Sequence, residues 1–128
     1  MVFVMEIDKN DAKLNRSDTA HLSLEDIVHI TNKIGMEYVE AKKELEIIEL
    51  HKHTNRAIAM EKYDDGTKTE AKIRRLAEMD DKYIECLNGI VQAKHNMEKL
   101  KLRYESYKNL FEAKRSMLSY QKAEMRLL

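Results

Sequence analysis

From Ile27 onward, apolar residues recur in alternating steps of four and three: Ile27, Ile34, Tyr38, Ala41, Leu45 and Ile48 form one stripe, and Thr31 is its single polar member. This spacing puts every member on one side of an α-helix, in the heptad pattern of helices that pack lengthwise on other helices. Ser23 offers an N-cap hydroxyl ahead of it, and Glu25 and Asp26 place acids at the positive end of the helix dipole. Beyond Ile48 the stripe drifts to Leu50, Ala57, Ile58 and Met60. A first helix is therefore predicted over 24–62, roughly 58 Å long.

Tyr63-Asp64-Asp65-Gly66-Thr67 interrupts the pattern, because Asp-Gly favours a turn and Thr67 or Thr69 can cap the next helix. A second helix is predicted over 69–126. Its stripe runs Ile73, Leu76, Met79 or Asp80, Tyr83, Leu87 and Ile90, then Met97, Leu100, Tyr104, Tyr107, Phe111, Lys114 and Leu118. Asn88-Gly89 is where a bend is expected, since an internal glycine costs about 1 kcal/mol against alanine. A turn at 63–68 is long enough to reverse the chain, which predicts an all-α fold: a long antiparallel helical hairpin or coiled coil. An unbroken second helix of about 85 Å outruns its partner and leaves an aromatic-rich stripe uncovered. A helical homo-oligomer is the expectation, with Ile27, Ile34, Tyr38, Leu45, Ile48, Met97, Leu100, Tyr104, Tyr107, Phe111 and Leu118 at the interface. Residues 1–22 show no helical period and read as a flexible or short-strand tail before a hairpin domain over 23–128.

Composition agrees with long helices. Among the 128 residues there is no proline, there are three glycines, and 36% are charged, the profile of helical and coiled-coil chains. The lone Cys86 excludes an intramolecular disulfide framework and fits a reducing compartment. Met1-Val2-Phe3-Val4-Met5 is apolar but has no basic region before it and stops at Glu6, unlike a secretory signal. No run approaches the roughly 20 apolar residues of a membrane span. The expected location is the cytoplasm, that of the host cell if the protein is phage-encoded, with no membrane partner.

Catalytic chemistry finds little support. His51 and His53 point about 200° apart on a helix, whereas ligand pairs need i,i+3 or i,i+4 spacing, so neither they nor His21, His29 and His95 form a metal motif. Carboxylate pairs such as Asp64-Asp65 and Asp80-Asp81 arise by chance in acid-rich helices, and no phosphate-binding or nucleophile motif occurs. Cys86 falls on the apolar side and reads as a small hydrophobe; the eight methionines read as packing. No enzyme and no cofactor are expected.

The zero net charge conceals a polarity. Residues 1–66 carry 9 basic and 14 acidic side chains, whereas residues 94–128 carry nine basic against four acidic. Basic residues there interleave with Tyr104, Tyr107, Phe111 and Tyr120, the mixture with which proteins hold single-stranded nucleic acid. Lys108, Lys114, Arg115 and Lys122 are the candidate phosphate contacts, without sequence specificity. The polarity equally fits two ends that attract each other in a helical packing.

Two segments carry a family resemblance: Arg56-Ala57-Ile58-Ala59-Met60-Glu61-Lys62-Tyr63 before an acidic Gly-containing turn, and Tyr107 with Phe111-Glu112-Ala113-Lys114-Arg115-Ser116 in the second helix. In this order, over roughly residues 40–118, the chain resembles the phage recombination mediators of the UvsY type. The resemblance implies an oligomeric, all-helical single-stranded-DNA-binding protein that helps load a RecA-like recombinase against a single-strand-binding protein. It adds Arg56 and Lys62 to Lys114 and Arg115 as candidate phosphate contacts. The other expectation from the sequence is a helical protein–protein interaction factor, such as a virion-assembly or tail-associated protein or a small inhibitor, without nucleic acid.

Overall fold

In the computed structural model of the protein the described residues are 19–127, and they are helical almost throughout. Three helices pack together: α1 (Leu24–Tyr63), α2 (Glu70–Glu78) and α3 (Asp81–Leu127), with no strand among the described residues. None of these helices is long and apolar enough to cross a membrane. The expected tail lies largely outside the described residues. Its last part, 19–22, is packed: Thr19 is buried, and the Lys114 ammonium donates to the carbonyls of Thr19 at 2.8 Å and Leu22 at 2.5 Å.

The start of α1 is locked by a reciprocal cap. The Ser23 amide donates to the Asp26 carboxylate at 3.0 Å, and the Asp26 amide donates to Ser23 Oγ at 3.1 Å. These bonds hold the Asp26 carboxyl below its ordinary range, the backbone donor contributing most. In the turn, Asp65 Oδ1 accepts from the Thr67 hydroxyl at 2.6 Å and the Thr67 amide at 2.9 Å. Gly66 adopts φ +81, where a side chain would be strained. Thr69 is the residue that caps α2, accepting from the Lys72 amide at 3.3 Å.

The second helix breaks at Met79-Asp80 rather than at Asn88-Gly89, which lies inside α3. Asp80 is the reason: its carboxylate caps α3 by accepting from the Lys82 and Tyr83 amides. The break shortens the final helix to 47 residues, about 70 Å rather than 85 Å.

The chain divides into two compact units. One comprises the start of α1 and the end of α3, up to Val39 and from Glu98; the other covers Glu40–Met97. In the first, Ile27, Ile34 and Tyr107 form the core with Leu22, Ile30, Tyr104, Leu110 and Phe111 against it. Thr31 satisfies its hydroxyl by donating to the Ile27 carbonyl at 2.6 Å. Gly35 admits the Tyr104 ring, whose edge would lie 3.1 Å from an added Cβ, and Tyr38 stacks on the same ring at 6.5 Å. In the second unit the core is smaller: Ala59, Ala77 and Tyr83, with Met60 and Leu87 beside them.

Candidate functional site

The stripe assigned to contacts between chains is largely covered within one chain. Ile27, Ile34, Leu45 and Tyr107 are buried, while Tyr38, Ile48, Met97, Leu100, Tyr104 and Phe111 are half-buried; Leu118 alone of that set stays exposed. Much of this stripe on α1 and α3 thus packs within the chain, and the largest exposed apolar side chains lie elsewhere.

The nominated cations are engaged as well. Arg56 Nη2 donates to Glu78 at 3.0 Å, and its Nε is buried without an acceptor among the described residues. That guanidinium ties α2 to α1. Lys62 donates to Asp80 at 3.0 Å. In the other unit Lys114 is held by two carbonyls, Arg115 pairs with Glu112 at 3.1 Å, and Lys108 lies 5.5 Å above the Tyr104 ring. Among the described residues Lys122 alone of the six makes no such contact, and it is exposed.

The most organised polar centre is Asp80, only 4% exposed. Its Oδ1 accepts from Lys62 at 3.0 Å and from the Tyr63 hydroxyl at 2.8 Å; its Oδ2 accepts from the amides of Lys82 at 3.1 Å and Tyr83 at 3.3 Å. The Lys62 ammonium, then the Tyr63 hydroxyl, lower the Asp80 pKa to about 2. The same contacts raise the Lys62 and Tyr63 values. A carboxylate carrying four donors is a structural anchor rather than a general base, because its lone pairs are already occupied. The adjoining cleft, about 540 Å³, is lined in part by Asn55, Lys62, Asp80 and Cys86. The Cys86 sulfur accepts from the Asn55 amide at 3.1 Å, so the polar groups there answer one another. Among the described residues no three His, Cys, Asp or Glu side chains converge as a metal site.

Exposed apolar faces are what remain. In the second unit Ile47, Leu50, Ala57 and Ile58 are exposed, Leu50 at 75%. With Lys43 and Thr54 they fall within an arc of roughly 100°, on the side of α1 away from buried Ala41, Leu45 and Ala59. The inward stripe continues instead through Asn55, Ala59, Met60 and Tyr63, which are buried or half-buried. The drift to Leu50, Ala57 and Ile58 is thus a second face, not a wandering of the first; the sign of it was two interleaved periods on one helix. In the first unit Met36 and Val39 are exposed on the side of α1 turned from Ile34 and Tyr38, and the end of α3 exposes Met117, Leu118, Tyr120, Met125 and Leu127.

Compared with protein-family models, with curated proteins and with solved structures, the chain matches none.

Proposed function

We propose that the protein is a non-catalytic interaction factor that works by laying exposed helix faces against other protein helices. The observation that carries this reading is the second apolar face of α1, which is exposed although the opposite face already supplies the intrachain core. A helix apolar on two sides needs cover on both. The finer architecture we assign is an antiparallel hairpin of α1 and α3 that assembles with other chains. It is supported in each unit by contacts whose numbers descend at or just before α3 as they rise at or just before α1: Lys114 with Leu22 and Tyr104 with Tyr38 in one, Cys86 with Asn55 and Asp80 with Lys62 in the other.

A second reading, a single-stranded-DNA-binding recombination accessory, is favoured by the basic excess of the carboxy-terminal third, where Lys101, Lys108, Lys122 and Arg126 are exposed. Against it stands the internal engagement of Arg56, Lys62 and Lys114. Fluorescence anisotropy with labelled oligo-dT over a salt series separates the two. The interaction reading expects no saturable binding at moderate salt. Tight binding that falls steeply with salt, and is weakened by Lys122→Ala with Arg126→Ala, establishes the nucleic-acid reading instead.

A further inference from the structure

On the stretch of α1 in the second unit, the charges beside the exposed apolar arc are polarised along the helix. Glu40, Glu44 and Glu46 flank it toward one end and His51 and His53 toward the other, whereas Arg56 and Lys62 are engaged with Glu78 and Asp80. His51 and His53 are exposed and make no hydrogen bond or ion pair among the described residues. A face bordered by this many acids repels nucleic-acid phosphate, so its occupant is protein.

From this polarity we infer that the face binds a second copy of the chain, antiparallel, about a two-fold axis passing between Ile48 and Glu49. In that register Ile47 of each copy lies opposite Leu50 of the other, and Lys43 lies opposite the Thr54 hydroxyl. Ala57 meets the stem of Glu40. At the margins a two-fold axis brings like sides together. Glu44 then faces His51, and Glu46 faces His53, so each unpartnered imidazole gains a carboxylate acceptor for its N–H. A parallel pairing brings opposite margins together, which sets Glu44 near Glu46 and Lys43 on Lys43, and like-charge repulsion disfavours it. The contact therefore closes as a dimer through one repeated patch instead of propagating as a filament.

This rests on the interaction reading above and names its partner. The test uses the full chain in a Cys86→Ser background, where serine retains an acceptor for Asn55. Two single-cysteine variants, Lys43→Cys and Thr54→Cys, are oxidised separately and mixed, with sedimentation equilibrium on the parent chain and on Leu50→Glu. The expected results are a dimer weakened at least about tenfold by Leu50→Glu and a disulfide that forms only in the mixture. In the antiparallel register two Lys43 positions are about 16 Å apart along the axis, beyond disulfide reach. Self-linked Lys43→Cys, a dimer indifferent to Leu50→Glu, or a monomer at about 100 µM overturns the proposal. Salt-sensitive oligo-dT binding is a separate readout, so failure of the broader reading is distinguishable from failure of this register.

Discussion

The two units solve the same packing problem with different materials. One is held by large side chains at heptad positions, Ile27, Ile34, Tyr107 and Phe111, around a core where Gly35 lets the Tyr104 ring approach. The other is held by alanines at 59 and 77, by Tyr83, and by a carboxylate that gathers donors from the end of α1 and the start of α3. Alanine leaves room for the short α2 to sit close; it contributes little burial per residue, and the polar anchor supplies the definition that bulk supplies in the first unit. Bulky periodic cores announce themselves in sequence. Small-residue cores and saturated carboxylates do not.

The first unit is most vulnerable at Ile27, fully buried at 0% exposure. Ile27→Ala is expected to cost about 2–5 kcal/mol in denaturant unfolding, measured at fixed protein concentration, because it leaves a cavity among rigid neighbours. The second unit should fail in the opposite direction, by overpacking. Ala77→Leu introduces bulk where the alanine is wholly buried and is expected to cost about 1–3 kcal/mol. A smaller change in Asp80 sharpens the distinction through pH. Its folded pKa of about 2 lies below the ordinary 3.8. Its contribution is therefore complete above about pH 4 and disappears as pH falls toward 2. Thermal melts from pH 7 to 2 should show that acid loss in the parent and less of it in Asp80→Asn. Asp65, lowered to about 2 mainly by the Thr67 hydroxyl but exposed, shares the window and sets the residual slope.

The smallest effects belong to the two helical glycines. Nothing lies within 4 Å of a Cβ at Gly89, so Gly89→Ala should stabilise by about 0.8–1 kcal/mol in the same unfolding assay. Gly35→Ala gains the same helix propensity but meets Tyr104 Cε2 at 3.1 Å, and the two terms should nearly cancel.

These residues also show how far the sequence could be read. The helical class, the Ser23 cap and the inward stripe through Ile27, Ile34 and Leu45 follow from periodicity, because bulky residues on one arc leave few alternatives. Gly89 lies inside α3, because helix propensity is a weak prior and one internal glycine is tolerated. The true interruption needed Asp80 to be read as a cap followed by Asp81 in a first turn, a signal hidden inside a stripe position that Met79 also fits. Periodicity likewise shows that a face is covered and is silent on what covers it: Ile27, Ile34, Leu45 and Tyr107 are buried within one chain. The outer face of α1 escaped notice because its members interleave with the inner ones. The engagement of Arg56 and Lys62 depends on Glu78 and Asp80, distant in sequence and brought near by the break itself.

The most direct test is the solution mass of the parent chain beside Leu50→Glu, by sedimentation equilibrium with circular dichroism on the same samples. Leu50 is 75% exposed, so the substitution should leave helicity intact and change folding stability by less than about 0.5 kcal/mol. The antiparallel dimer requires a parent mass that rises above 15.1 kDa with concentration and a Leu50→Glu chain that stays there. Equal masses for the two, whether monomeric or assembled, would contradict it.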